Sequence, residues 1–139
     1  MRQTQTTLKI NTRGQGLYEF THEITRWLQN ESIQTGLLTL FCRHTSASLT
    51  IQENADPDVQ RDLNAFFKHL VPEGAAWMQH TQEGTDDMPA HIRSALTDVS
   101  LTIPIHQGRL ALGTWQGVYL FEHRQHPHQR QIVAHLIGE

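Results

Sequence analysis

Twelve residues from His80 to His91 bring together side chains that bind metals and transfer protons. The segment reads HTQEGTDDMPAH and holds two histidines, three carboxylates, a glycine and a proline. Imidazole and carboxylate groups are common ligands for borderline divalent metals, and they are also common general acids and bases. The spacing matches no standard zinc motif, so the residues alone leave a metal site and a polar loop equally open. His80, Asp87 and His91 are the candidate ligands, and Asp86 is predicted to cap the following helix.

A second polar cluster runs from Arg43 to Ser48 and reads RHTSAS. It joins two apolar segments, and a rigid scaffold often aims such junctions at a ligand. Hydroxyl groups, backbone amides and an arginine together suit a phosphate. The alternative is a Ser/Thr turn between strands. The candidate substrate-binding residues here are Arg43, Thr45, Ser46 and Ser48, and His44 is a candidate for proton transfer.

Two glutamates continue the buried phase of alternating segments. Glu53 follows Ala47, Leu49 and Ile51, and Glu122 follows Val118 and Leu120. An acidic group that faces inward costs free energy unless it is paired or ligated, so both glutamates are candidate catalytic residues. The alternative is that each side chain turns outward where its strand ends.

The segment Gly113–Gly117, which reads GTWQG, lies between two predicted strands. Glycines at such a position permit a bulge or a close approach of the backbone. Trp115 can stack on a heteroaromatic ligand, although a tryptophan at a bulge is more often part of a core or a subunit interface.

The elements that position these residues follow from hydrophobic periodicity and from turn residues. Apolar residues at helical spacing predict helices over Tyr18–Gln29, from Asp56-Pro57 to the Pro72-Glu73-Gly74 stop, and from Pro89 to Leu96. Alternating or continuous apolar segments predict strands over Gln3–Ile10, Gly36–Cys42, Ser46–Glu53, Val99–Ile105, Leu110–Gly113, Gln116–His123 and Gln131–Ile137. Gly36–Cys42 is apolar on both faces, which favours a central strand or one buried in an assembly.

The order of these elements does not alternate as a parallel βαβ fold does. It predicts an α+β fold, with a largely antiparallel sheet or sandwich and helices packed on one side. A length of 139 residues predicts a single domain over residues 1–139.

Composition excludes several functional classes. A net charge of −3 with dispersed basic residues argues against nucleic-acid binding. We find no apolar run of membrane-spanning length and no signal-peptide core, and the one cysteine, Cys42, cannot form an internal disulfide. These features predict a cytoplasmic protein with no membrane partner, and they predict Cys42 as a small buried hydrophobe. The histidine-rich run from Glu122 to Arg130 is predicted to be a solvated loop.

The segments RHTSASLTIQENADPDV, HTQEGTDDMPAH and SLTIPIHQGRLALGTWQGVYLFEHR resemble the YjbQ family, also called the secondary thiamine-phosphate synthase family. The likeness runs from about Thr6 to the end of the chain. It implies an α+β homotrimer with weak thiamine-phosphate synthase activity, which joins hydroxymethylpyrimidine diphosphate to thiazole phosphate. The positions that match the family are His44, Glu53, Asn54, His80, Asp87, His91, Trp115, Gln116 and Glu122.

These matches give a specific expectation for the chemistry. His80, Asp87 and His91 are predicted to hold a divalent metal, which is zinc, manganese or magnesium, and a histidine-rich set suits the first two better. The expected partner is a small phosphorylated heterocyclic substrate, for which Asn54, Trp115 and Gln116 are further candidate contacts. Glu122 or His44 is the expected proton carrier. The alternatives are a metal-dependent hydrolase of a small phosphorylated substrate and a non-catalytic trimer that binds a metal or metabolite.

Overall fold

Two antiparallel sheets and three helices make up the computed structural model, which describes all residues from Met1 to Glu139. The strands are β1 (Arg2–Thr12), β2 (Gly16–Glu19), β3 (Thr35–Cys42), β4 (Ala47–Glu53), β5 (Ser100–His106), β6 (Arg109–Leu110), β7 (Gln116–Glu122) and β8 (His128–Gly138). The helices are α1 (Thr21–Leu28), α2 (Pro57–Leu70) and α3 (Asp87–Leu96). This arrangement confirms the predicted α+β class.

The larger sheet has the strand order β1-β8-β3-β5-β6, and the smaller has the order β2-β7-β4. Every pair of neighbouring strands is antiparallel. Alternation explains the register, since Leu38, Leu40 and Cys42 of β3 face inward and are buried, whereas Leu37 and Phe41 are exposed. The predicted central position of this strand is confirmed.

One cluster of buried apolar side chains joins the two sheets and α1. It includes Leu40 of β3, Leu49 of β4, Leu120 of β7 and Ile24 of α1. Cys42 belongs to the same cluster, and its burial raises the pKa of the thiol to about 11. The prediction that Cys42 acts as a buried hydrophobe is therefore confirmed.

The predicted start of the first helix was wrong. Gly16–Glu19 forms β2, which pairs with β7 more than a hundred residues later, and α1 begins at Thr21. The long-range ladder with β7 therefore overrides the local helical pattern around Tyr18. The predicted start of α2 is confirmed, because the Asp56 carboxylate accepts a hydrogen bond from the Asp58 amide and Pro57 occupies the first turn.

Two further boundaries differ from the predictions. α3 begins at Asp87, two residues before Pro89. β6 is only Arg109–Leu110, whereas the prediction placed a strand over residues 110–113. The turn before β6 places Gln107 and Gly108 at positive φ, which explains its glycine.

Candidate metal centre

His80, Asp87 and His91 converge at one point of the structure. Each offers a ligand atom, and these atoms all lie within 4.8 Å of one another. Oδ2 of Asp87 lies 2.6 Å from Nε2 of His80 and 3.2 Å from Nε2 of His91. The sequence indicated this trio, and the structure brings its members together.

Two elements supply the trio. Asp87 and His91 stand one turn apart on α3, so both side chains project from the same face of the helix. His80 reaches them from the segment between α2 and α3, and Gly84 within that segment has a φ of +108°. Few residues other than glycine adopt this backbone conformation easily, so Gly84 permits the turn that returns the chain to Asp87.

Asp86 does not cap α3 through its side chain as predicted. Its carboxylate instead accepts hydrogen bonds from Nε of Arg124 and from the Gln125 amide, both at 2.9 Å. A carboxylate that already has a charged partner has no need of the helix amides, which explains the error. Asp86 therefore anchors Arg124 beside the metal-ligand trio.

Arg124 orients the central carboxylate. Its Nη1 donates to Oδ1 of Asp87 at 2.7 Å, which leaves Oδ2 facing both histidines. Burial alone would raise the pKa of Asp87, but the hydrogen bond from His80 and the charges of Arg124 and His91 outweigh it and hold the pKa below its usual range. Asp87 is 2% exposed and therefore presents a buried, charged ligand oxygen.

His91 is held by oxygen acceptors at both ring nitrogens. Its Nδ1 lies 3.1 Å from the carbonyl oxygen of Thr45, and its Nε2 faces Asp87. A neutral imidazole has one N–H and can donate to only one of these oxygens. If Nδ1 donates to Thr45, the lone pair of Nε2 points toward Asp87, which is the arrangement of a metal-binding histidine with a carbonyl behind it.

His44 is the residue before Thr45, but its ring hydrogen-bonds to β8 and not to the metal-ligand trio. Its Nε2 accepts a hydrogen bond from the Gln131 amide at 2.8 Å, which places the ring proton on Nδ1. Burial and the nearby Arg130 charge lower the pKa of His44. With Arg43, Thr45 and Ser46, it lines a cleft of about 580 Å³.

The hydroxyl groups of the two serines predicted to bind phosphate already form hydrogen bonds within the chain. Ser48 is fully buried, and its hydroxyl lies 2.9 Å from Nε2 of His123 and 2.7 Å from Oγ1 of Thr97. Ser46 accepts a hydrogen bond from Nη2 of Arg130 at 3.0 Å. Among the predicted phosphate contacts, only Arg43 and Thr45 are exposed.

Glu122 is paired rather than free. Its carboxylate is fully buried and receives both Nε and Nη2 of Arg130, together with the Thr12 hydroxyl at 2.7 Å. Burial would raise the pKa of Glu122, but the hydrogen bonds from Arg130 and Thr12 outweigh it and lower the pKa. The inward orientation predicted from the alternation is confirmed, and the residue that explains it is Arg130. Proton transfer by Glu122 stays a prediction.

The remaining candidates lie at the other end of the β4–β7 ladder. Ala47 pairs with Glu122 at one end, and Glu53 pairs with Gln116 at the other. Six residues of strand separate the two ends by about 20 Å. Glu53 accepts a hydrogen bond from the Asp56 amide, and Trp115 is 63% exposed. Glu53, Asn54, Trp115 and Gln116 are therefore not part of the centre around Asp87 within one chain.

Sequence reasoning missed Arg124 and His123. His123 ends the strand predicted over Gln116–His123, and both residues fall in the run predicted to be a solvated loop. That prediction was wrong at both ends of the run, where Glu122, His123 and Arg130 are buried and Arg124 is half-buried. The signal available was the position of these residues directly after or before long apolar strands. No spacing rule links Arg124 to Asp87 across 37 residues.

The chain matches the family described as "UPF0047 protein YjbQ-like" over residues 6–139. It belongs to this family. A UPF0047 protein of Synechocystis is 59% identical over 138 residues, which cover 99% of this chain and 94% of that protein. The UPF0047 protein YjbQ of Salmonella typhimurium is 48% identical, with 97% and 98% covered. The resemblance inferred from the motifs is therefore confirmed.

Solved structures agree with this membership. A conserved hypothetical protein from Thermus thermophilus has a TM-score of 0.84 and 36% identity, and the match covers 95% of this chain and 99% of that one. A YjbQ/UPF0047 protein from Clostridium acetobutylicum has a TM-score of 0.83 and 32% identity, with 96% and 99% covered. The family fold is thus shared along nearly the whole chain.

The comparisons correct the predicted activity. The family and its curated relatives are described only as UPF0047 proteins, and nothing in these descriptions indicates thiamine-phosphate synthase, another transferase or a hydrolase. The thiamine-phosphate synthase prediction was therefore wrong as an assignment for this family member. The structure offers a physical reason, because Ser46 and Ser48 of the expected phosphate cradle already bind other residues of the chain.

None of the three helices has the length and apolar character that a bilayer-spanning helix requires.

Proposed function

We propose that this family member binds one divalent transition-metal ion through His80, Asp87 and His91. The observation that carries the proposal is that one ligand atom from each residue lies within 4.8 Å of the other two, with both histidine nitrogens facing Oδ2 of Asp87. Two imidazoles and a carboxylate suit zinc or manganese, whereas magnesium favours an all-oxygen octahedral shell.

One of the two distances from Asp87 already matches the ligand spacing of a zinc site, and the other must lengthen. Tetrahedral zinc with bonds of about 2.0–2.1 Å places its ligand atoms about 3.3 Å apart. The distance from Asp87 to His91 is already 3.2 Å, and that from Asp87 to His80 is 2.6 Å. An ion between them would take the place of the direct contacts between the carboxylate oxygen and the two histidine nitrogens, with the lone pair of each Nε2 facing the ion.

The surroundings support the proposal in two ways. Arg124 and the Thr45 carbonyl hold Asp87 and His91 from behind, as residues behind metal ligands commonly do. The His80 and His91 side chains are 43% and 33% exposed, so the centre opens to solvent on one side. Three protein ligands with an open side leave a coordination position for water or a small ligand.

Metal content and affinity test this proposal. Purified protein, stripped with a chelator and titrated with zinc, is expected to bind one ion per chain. His80→Ala and His91→Ala are each expected to weaken binding by more than about 100-fold, because each removes a direct ligand. His126→Ala is the matched control, since His126 is an exposed histidine of the histidine-rich run. Equal affinity in all three variants would show that the chain binds zinc elsewhere.

We also propose that the chain assembles as a homotrimer. The outer face of the larger sheet supports assembly, because Leu37, Phe41 and Ile137 project from it and are 48%, 47% and 37% exposed. Leu37 pairs directly with Ile137, so the apolar atoms are contiguous. Light scattering is expected to give three times the chain mass at micromolar concentration and a lower mass for Phe41→Glu. A wild-type monomer would contradict the proposal.

A cytoplasmic location is part of the proposal, and it rests on one observation. Cys42, the single cysteine, is buried and free, as expected of a chain that needs no disulfide.

A further inference from the structure

Arg93 is a buried arginine without a counter-ion. It is 4% exposed, its Nε has no hydrogen-bond partner, and its one hydrogen bond runs from Nη2 to the Val71 carbonyl at a long 3.4 Å. By contrast, Arg130 and Arg124 both pair with carboxylates, since Arg130 binds Glu122 and Arg124 binds Asp86 and Asp87. A buried guanidinium without a counter-ion lowers the free energy of unfolding, so we expect its partner to come from outside the chain.

Arg93 lines a cleft that contains further donors. The cleft measures about 530 Å³ and includes the ammonium-bearing Lys68 of α2 and the amide side chains of Gln15 and Gln125. Arg93 is the buried cation of this lining and Lys68 is an exposed one, whereas the side-chain nitrogens of Gln15 and Gln125 already donate to the His123 carbonyl and to Glu73. The two cations are therefore the groups that an anion would bind.

One carboxylate also borders this cleft, but its oxygens are engaged. Oε1 of Glu73 accepts the Thr85 hydroxyl at 2.9 Å, and Oε2 accepts Nε2 of Gln125 at 2.6 Å. Glu73 forms no ion pair with Arg93 and contributes only a longer-range attraction to it. The charged side chains of the lining are thus two cations and one anion, which leaves one net positive charge for a ligand.

We propose that this cleft binds a small oxyanion such as phosphate, with Arg93 at its base and Lys68 at its rim. The fixed N–H groups of the guanidinium match two oxygens of such an anion, and the flexible lysine adds a point charge. The site lies on the same helix as the metal ligands but uses none of them. It is therefore independent of the proposed metal binding.

Calorimetric titration with inorganic phosphate tests this site. The protein is kept in excess chelator, so that no metal ion can bind the phosphate. The wild type is expected to bind one phosphate per chain saturably. Lys68→Met is expected to weaken binding by about tenfold or more, because it removes a charged donor, and Arg93→Met is expected to abolish it.

Arg61→Met is the matched control. Arg61 lies on α2 as Lys68 does, but it is exposed and pairs with Asp58, so its loss is expected to leave phosphate binding unchanged. Lys68 is exposed, so Lys68→Met keeps the test decisive even if Arg93→Met fails to fold. The proposal is overturned by a wild type that shows no saturable phosphate binding, or by wild-type affinity in Lys68→Met.

Discussion

His123 makes the folded chain sensitive to mild acid. It is fully buried, its Nε2 contacts the Ser48 hydroxyl, and its Nδ1 has no partner. Burial, together with the positive charge of Arg93, lowers the pKa of His123 from 6.5 to about 3; Glu122 opposes this shift, and Arg130 adds to it. The folded chain therefore keeps the ring neutral at pH values where the unfolded chain protonates it.

The sign and size of the effect follow from this difference in pKa. Since the pKa of His123 is lower in the folded chain than in the unfolded chain, the contribution of the neutral ring to the free energy of unfolding is fully present above pH 6.5. It falls as the pH drops toward the folded-state pKa of about 3. Each pH unit in this window removes about 1.4 kcal/mol, so His123 alone costs about 2 kcal/mol between pH 7.5 and pH 5. The carboxylates with lowered pKa values act mainly below pH 4 and contribute little here.

Urea denaturation at pH 7.5 and pH 5 measures this loss. His123→Phe keeps a ring beside Phe121, whose centroid lies 4.5 Å from that of His123, but it cannot be protonated. The wild type is expected to lose about 2 kcal/mol more than the variant between the two pH values. Both proteins are measured in chelator, so that release of a metal does not contribute. Equal losses in the two proteins would refute the assignment of the acid sensitivity to His123.

Two further predictions concern the arginine partners of Glu122 and of Asp87. Glu122→Gln breaks the buried pair with Arg130 and is expected to lower the free energy of unfolding by about 3–5 kcal/mol, whereas Asp58→Asn removes an exposed pair and is expected to cost under about 1 kcal/mol. Denaturation curves check this, and similar small losses would contradict it. Arg124→Gln is expected to weaken zinc binding by about 10- to 100-fold, because Asp87 loses the donor that orients it. Zinc titration checks this, and an unchanged affinity would show that Arg124 has no role in positioning Asp87.

The strands and the α2 cap were predictable because their signals are local. Alternation over Ala47–Glu53 identified β4 and its buried face, and Asp56-Pro57 marked the start of α2. β2 was missed because only its ladder with β7 makes it a strand. Propensity in a four-residue segment is too weak to outweigh a neighbouring helical pattern.

The metal-ligand trio was predictable in membership but not in setting. The types of the three side chains identified the trio, whereas the helix was predicted to begin only at Pro89. Because α3 begins at Asp87, Asp87 and His91 lie one turn apart on the same face. Their orientation depends on Arg124 and on the Thr45 carbonyl, which come from distant parts of the chain. The separation of Trp115 from this centre follows from the register of β4 with β7, which no local pattern encodes.

Anomalous diffraction from crystals grown with equimolar zinc tests whether His80, Asp87 and His91 bind a metal ion. We expect one strong peak at the zinc edge, about 2.0–2.2 Å from Nε2 of His80, Nε2 of His91 and Oδ2 of Asp87. A peak only beside the histidine-rich run at His126 and His128, with none at the trio, would show that the trio is not a metal site.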